Sequence, residues 1–370
     1  MFISAFRFSE AGASEVMITG TMTMWAIIYS LSSLLVGRIV TEKNAAKIVI
    51  RAGCFLALVS LAFVVLPNLH LQYLWIALTG VGSAFYCTPF QVFMKSFEDK
   101  GAASGIVYST AMYTAAWSAG MACGPLIFAV LAWQTAFYIN VFFSLCLAFG
   151  VFVIEKMRTK VPLPSEGPGT KSEINYGEYP DLASLGWLCA GIGTATISIV
   201  RTLEPKLAVD LGLTKTHAGC ILALVSIMQV TWGLAWIKSK RWMFKSSAAF
   251  AAGLCGLTGL LLFAFGKKLP FLYLAAFLYG TYSSFFYFTL VFYSLVHPVN
   301  SSRYLAINEA VVGLAGIAGS IGGGILAYFS NLQITFTVAA IMVGTSSLHR
   351  IYALRKAMGK QETLGQISQS

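Results

Sequence analysis

The stretch Gly37-Arg-Ile-Val-Thr-Glu-Lys-Asn-Ala-Ala-Lys-Ile-Val-Ile-Arg51 is a short basic loop between two apolar runs, and it sets the arrangement of the chain. Residues 16–36 before it carry no charge, and residues 48–66 carry only Arg51. At about 1.5 Å per residue, each run covers roughly the 30 Å hydrocarbon core of a bilayer. Because basic residues in short loops stay cytoplasmic, we expect this loop to face the cytoplasm between two antiparallel helices.

The composition is that of a polytopic membrane protein. Of the 370 residues, 57% are hydrophobic and 11% are charged, whereas about 25% are charged in soluble domains. A net charge of +11 is also found in nucleic-acid-binding proteins, but here Lys and Arg form small clusters at the ends of apolar runs. That pattern is a topology signal, so we expect a lipid bilayer and no nucleic acid as partner.

Runs of about 20 apolar residues predict eleven membrane-spanning helices. The predicted spans are 14–36, 47–66, 71–94, 102–131, 134–154, 182–205, 214–237, 246–265, 269–296, 304–329 and 332–354. If the helices alternate in direction from the first basic loop, most of the 25 Lys and Arg fall on the side of that loop. This bias predicts a cytoplasmic C-terminus in an integral, multi-pass protein of the plasma membrane or a bacterial inner membrane.

The polar segment 155–181 contains four prolines and divides the membrane part into two lobes. We expect an N-terminal lobe at 1–154 with five helices, a cytoplasmic linker at 155–181, a C-terminal lobe at 182–354 with six helices, and a cytoplasmic tail at 355–370.

The lobes resemble each other at a shift of about 199 residues, which predicts a pseudo-twofold repeat. The matched positions are Gly120 and Gly319, Gly124 and Gly323, Gln134 and Gln333, Phe137 and Phe336, and, slightly off this shift, Gly12 and Gly212. When the sixth span, 182–205, is moved back by the same shift, its equivalent in the N-terminal lobe falls mostly before Met1. The expectation is an all-α, two-lobed bundle that lacks the first of its helices.

The basic loop resembles the loop between the second and third helices of major facilitator superfamily (MFS) transporters. It keeps Gly37, Arg38, Glu42, Lys43 and Lys47, although a threonine stands where the family usually has aspartate. The resemblance implies that this loop acts as a conformational latch on the cytoplasmic side.

Two further motifs carry the same resemblance. Gly120-x-x-x-Gly124-Pro125 is similar to the motif of the family's fifth helix, and residues 133–140 look like the opening of its sixth helix. The resemblance implies twelve helices in two lobes of six, with Gly120, Gly124 and Pro125 forming a bendable helix at the lobe interface.

The sequence contains no pattern typical of an enzyme. It has no phosphate-binding loop, catalytic triad or metal constellation, and all seven cysteines stand singly in apolar runs. The glycine-rich run at 313–324 also lies in an apolar span, where small residues let helices pack closely. We therefore expect no catalytic residue, cofactor or metal.

Charged residues within spans are costly and are candidates for function. Arg201 and Glu204 are one turn apart, which is compatible with a capping pair or with a gate in which Arg201 binds an anionic substrate and Glu204 takes up a proton. Arg303 and Glu309 are candidates for an inner gate or a structural salt bridge.

Neutral polar and aromatic residues within spans predict the rest of a substrate cavity. The candidates are Gln91, Tyr113, Gln229, Tyr279 and Tyr282. Because aromatic stripes also serve helix packing, both interpretations stay open. Few charges and many aromatic groups favour a weakly polar small solute.

The sequence therefore predicts an MFS-type secondary transporter, a symporter or antiporter that moves a small organic solute by alternating access. A transport-inactive, truncated membrane scaffold or sensor is the first alternative, and a multidrug exporter is the second. Glu204 and Glu309 make a coupling proton plausible.

Overall fold

The structure is a computed structural model that describes residues 2–41, 43–95, 103–158, 181–237, 242, 244–295 and 301–367. Within these ranges the secondary structure is entirely helical. The helices are α1 (Phe2–Glu10), α2 (Glu15–Ile39), α3 (Ala45–Val65), α4 (Leu71–Lys95), α5 (Ala103–Val130), α6 (Trp133–Arg158), α7 (Ala183–Asp210), α8 (Lys215–Ile237), α9 (Ser246–Phe265), α10 (Leu269–Leu295), α11 (Ser301–Phe329) and α12 (Leu332–Ile367).

The described helices confirm the all-α membrane bundle. By length and composition, ten of them are long and apolar enough to cross a membrane. Two helices fall outside that set: α1 is short, and α5 has a described apolar part of only Ala115–Val130. The last helix extends to Ile367, so its helical backbone continues beyond the predicted span 332–354 into the predicted tail.

The predicted repeat is confirmed most clearly at two helix corners. Gly12 after α1 and Gly212 after α7 have φ angles of 70° and 66°, the left-handed conformation that favours glycine. At the first corner, the Ala13 amide donates to the Phe8 carbonyl at 3.0 Å. At the second, the equivalent bond from Leu213 to Ala208 is 2.9 Å. The two corners therefore match at a shift of 200.

Close helix packing repeats at the same shift. A Cβ built on Gly80 of α4 would lie 3.0 Å from the Trp25 carbonyl oxygen of α2. A Cβ on Gly280 of α10 would lie 2.6 Å from the Val225 carbonyl oxygen of α8. Helix α3 packs on α6 in one lobe, as α9 packs on α12 in the other. Each lobe is therefore a copy of one helical unit.

The two lobes meet through a few helices. From the N-terminal lobe, α1 and α2 contact α7, α2 also contacts α11, and α5 contacts α8 and α10. The end of the bundle that holds the α2–α3 loop is called the loop end here, and the opposite end is the distal end. Alternation of the helices places the ends of α1 and α7 and the starts of α2 and α8 at the distal end.

Candidate functional site

Hydrogen bonds join the lobes at the distal end. The hydroxyls of Thr23 on α2 and Ser320 on α11 are 2.9 Å apart and buried. On the other side of the interface, Lys215 Nζ donates to the Leu131 carbonyl at 2.9 Å, and Thr216 Oγ1 donates to the Ala129 carbonyl at 2.9 Å. The distal ends of the two lobes are thus held together by polar contacts.

Glycines let the lobes approach closely along the same interface. A Cβ on Gly219 of α8 would lie 2.6 Å from the Pro125 carbonyl oxygen of α5. A Cβ on Gly324 of α11 would overlap the Thr19 side chain of α2. Pro125 is buried at this lobe interface, within a helix that runs without interruption from residue 103 to 130.

Gly120 and Gly124, the other members of the predicted bend, have open space beside them. No heavy atom lies within 4 Å of a Cβ built on either one. Their counterparts in α11 differ, because a Cβ on Gly319 would overlap the backbone of Ala195 and one on Gly323 would lie 2.7 Å from Ile199. Close packing of the glycine-rich run is therefore confirmed at these two positions of α11.

Arg201 lies on α7, a helix of the C-terminal lobe that also contacts α1 and α2 of the N-terminal lobe. Its side chain is partly buried, and among the described residues it has neither a hydrogen bond nor an ion pair. In particular, no salt bridge joins it to Glu204, although one turn of helix separates the two. A partly buried guanidinium without a protein partner is available to bind an anionic group.

Glu204 is 1% exposed, and its Oε2 atom has no hydrogen-bond partner. Tyr273 on α10 lies within electrostatic range of this carboxyl group. The Tyr273 hydroxyl is in turn 3.4 Å from Nδ1 of His217 on α8. These three groups form a polar cluster in the distal half of the C-terminal lobe.

The aromatic candidates of α10 lie inside the C-terminal lobe. Tyr279 is fully buried, and its hydroxyl is 2.8 Å from Thr196 Oγ1 on α7. Tyr282 is 4% exposed and packs on Gly256 of α9. Both side chains therefore join helices within one lobe.

Gln229 also joins helices within the C-terminal lobe. It is 3% exposed, and its Nε2 donates to Ser283 of α10. Its backbone carbonyl accepts from Ser284 at 3.2 Å. By contrast, Gln91 on α4 is exposed. Tyr113 lies in α5 and Arg303 and Glu309 lie in α11, but their side chains are not among those that the structure describes.

The α2–α3 loop is ordered by Asn44, which sequence reasoning did not single out. Asn44 Oδ1 accepts from the Thr41 amide at 2.7 Å, and its Nδ2 donates to the Ile39 carbonyl at 2.8 Å. The other candidates there, Gly37, Arg38, Lys43 and Lys47, are exposed. Glu42 lies outside the described residues.

A second buried cation was missed. Arg350 was not singled out because it stands close to the end of the last predicted span, 332–354, beside the basic tail. The structure places it inside the C-terminal lobe, 3% exposed, where it donates to Thr289 and Tyr293 at 3.2 Å each. A span boundary drawn from hydropathy says nothing about which face of the helix packs inward.

A polar contact between α7 and α11 was also missed. The indole Nε1 of Trp187 donates to Asn308 Oδ1 at 2.7 Å, and the Trp187 and Tyr304 rings meet edge to face at 5.1 Å. These residues lie in the loop-end half of the C-terminal lobe. Among the described residues, no group of three His, Cys, Asp or Glu could hold a metal ion.

Two homologous helical lobes, joined through α1, α2 and α5 of one and α7, α8, α10 and α11 of the other, are the architecture of a membrane transporter. The chain belongs to the Major Facilitator Superfamily, whose sequence profile matches residues 108–300. It is accordingly an integral, multi-pass membrane protein of a family that binds small-molecule substrates. The sequence has no match among curated proteins.

Solved structures confirm the fold. The human organic anion transporter MFSD10 (TETRAN) is 13% identical, with a TM-score of 0.63 over 92% of this chain and 83% of that chain. A bacterial homolog of the human lysosomal transporter Spinster, inward-facing and unoccupied, is 11% identical, with a TM-score of 0.64 over 97% and 95%. A mutant of the nucleoside transporter NupG is 12% identical, with a TM-score of 0.63 over 96% and 94%.

Proposed function

We propose that the protein is a secondary active transporter that moves a small organic anion by alternating access, with Arg201 binding the anionic group. The observation that carries this proposal is the Arg201 guanidinium, which is partly buried on α7 without a hydrogen bond or ion pair. Because α7 contacts helices of both lobes, the affinity for a ligand bound there would depend on the relative position of the lobes. The solved structures of similar fold include an organic anion transporter.

Alternating access requires the lobes to part at one end while they close at the other. The distal hydrogen bonds support a state closed at that end, which the predicted topology puts outside the cell. The exposed basic loop would then stand beside the open end and act as the latch when the lobes rock. Gly120, Gly124 and Pro125 would allow α5 to bend during this movement.

Glu204 is the proposed proton carrier. Its carboxyl group is buried, whereas the contacting pair His217 and Tyr273 is partly exposed in the first turns of α8 and α10, at the distal end. A proton delivered along these groups would neutralise a carboxylate whose burial is costly. Substrate binding at Arg201, one turn away, would be coupled to that protonation.

The test is uptake into proteoliposomes of a panel of small aromatic and aliphatic carboxylates, with neutral nucleosides and cationic dyes as comparators. We expect carboxylates to be transported, and Arg201→Gln to reduce their flux by at least about tenfold, as loss of a charge-assisted hydrogen bond does. Lys206→Gln, which removes a nearby cation that is already paired with Asp210, is the matched control.

The other outcomes contradict the proposal in different ways. Flux of cationic dyes alone, unaffected by Arg201→Gln, would identify a multidrug exporter. No flux of any compound, from protein that is folded and inserted, would identify a transport-inactive scaffold or sensor.

A further inference from the structure

Arg350 is a buried cation that the transport mechanism does not use. It lies on α12 in the loop-end half of the C-terminal lobe, and its guanidinium donates to the hydroxyls of Thr289 and Tyr293 at 3.2 Å each. Its Nε atom has no hydrogen-bond partner. Among the described residues, no carboxylate lies within ion-pair distance of it.

The aromatic groups around Arg350 are neutral as well. The centre of the guanidinium is 4.3 Å from the Phe285 ring centroid and 5.6 Å from that of Tyr293. Ring faces attract a cation, but they supply no negative charge. A guanidinium is always protonated, so a full positive charge is buried among neutral groups. Buried charges in proteins are normally paired.

A small cavity adjoins this cation. Its lining includes Arg350, Tyr282, Ser346, Ser347, Cys189 and Gly253, and its volume is about 10 Å³. That is roughly the room of a single water-sized particle. The lining residues come from α7, α9, α10 and α12, all in the C-terminal lobe, so the cavity is separate from the boundary between lobes.

We propose that this cavity binds a monatomic anion of the chloride class. The positive charge of Arg350 excludes a metal cation, and a volume close to that of one water molecule favours a monatomic anion over phosphate, sulfate or a carboxylate. The hydroxyl of Ser347, which lines the cavity together with Arg350, supplies a neutral donor besides the guanidinium. The bound anion compensates the buried charge and ties together four helices of the lobe.

The first experiment measures the thermal stability of the purified protein as sodium gluconate is replaced by sodium chloride or sodium bromide at constant ionic strength. We expect saturable stabilisation by both halides, because a ligand that binds only the folded state raises its stability. Arg355→Gln, which removes an exposed cation from the same helix, should leave this response unchanged.

Two variants test the site itself. Arg350→Gln should abolish the halide response. Ser347→Ala keeps the buried cation and should raise the halide concentration for half-maximal stabilisation by about fivefold, the worth of one hydrogen bond. If Arg350→Gln does not fold, Ser347→Ala still tests the site. Equal stability in gluconate and halide, or a halide response that both variants retain, would overturn the proposal.

Crystals grown in sodium bromide provide a readout independent of stability. An anomalous difference peak beside Arg350 Nε would locate the anion directly. No peak there, or bromide only at exposed basic residues, would mean that the cavity takes water only and would refute the site. Neither result depends on the identity of the transported solute.

Discussion

Thr23 on α2 and Ser320 on α11 share a buried hydrogen bond of 2.9 Å, although 297 residues separate them in the sequence. It is a direct polar link between the two lobes at their distal end. If the protein works by alternating access, this bond forms and breaks once in each transport cycle.

Cysteines at these two positions should therefore trap one state. We expect the Thr23→Cys/Ser320→Cys protein to form a disulfide on oxidation, to lose substrate flux, and to regain it on reduction. Flux into proteoliposomes and mass spectrometry of the linked peptides measure the two effects. The pair Thr21→Cys/Ser320→Cys is the control, because Thr21 bonds its own helix at Ile18. Full flux through the linked protein would contradict opening at this end.

Gly120 and Gly319 are related by the repeat, but alanine at the two positions should change the stability of the protein to different extents. Gly319→Ala overlaps the Ala195 backbone, so we expect it to lower the free energy of unfolding by about 1–3 kcal/mol. Gly120→Ala meets open space and should change it by less than about 0.5 kcal/mol. Thermal unfolding in detergent measures both. Equal losses at the two positions would show that α5 packs in the same way as α11.

Substitution of either corner glycine, Gly12 or Gly212, should lower the stability of the protein to a similar extent. Gly12→Ala and Gly212→Ala each place a side chain at a positive φ angle, which costs roughly 1–2 kcal/mol. Asparagine at either position should cost less, because it tolerates the left-handed conformation. Gly150→Ala, in α6 with no heavy atom within 4 Å of the added Cβ, serves as the control. An undiminished stability of Gly12→Ala would contradict the repeat at the first corner.

Removal of the buried carboxyl group should separate proton coupling from binding. We expect Glu204→Gln to abolish proton-driven accumulation of substrate while exchange of internal for external substrate persists, because exchange needs no net proton movement. Asp210→Asn, at an exposed carboxylate paired with Lys206, should keep both activities. Proton-driven accumulation by Glu204→Gln at the wild-type rate would assign coupling to another group.

The basic loop should affect transport without affecting folding. Arg38→Ala with Lys43→Ala removes two exposed charges, so the amount of protein in the membrane should stay constant while flux falls. Arg355→Ala with Lys356→Ala, also exposed, is the matched control. Unchanged flux in the loop variant would remove the latch assignment.

Much of the fold was predictable because it depends on local properties. Hydropathy and charge locate the spans, since lipid requires every crossing segment to be an apolar helix. Gly12 and Gly212 mark the repeat because only glycine easily adopts the backbone conformation at these corners. Helix α12 continues past the predicted span to Ile367, since a helix that leaves the apolar region keeps its backbone hydrogen bonds.

The candidate site was predictable only in part. The sequence singled out Arg201 and Glu204, because charges within apolar runs are rare. It also suggested that they form a pair, but the structure leaves both without an ion pair. His217 and Tyr273 were not linked to Glu204, because three different helices carry these groups.

The sequence by itself determined the helices, their order, their duplication and the membrane family, because these follow from the apolarity of each segment and from the conformations of a few glycines. Only the tertiary structure decided that Arg350 is buried among neutral groups, that Tyr279 packs inside a lobe, and that Thr23 meets Ser320. Burial and pairing depend on which helix faces are brought together, and that information is distributed over residues hundreds of positions apart.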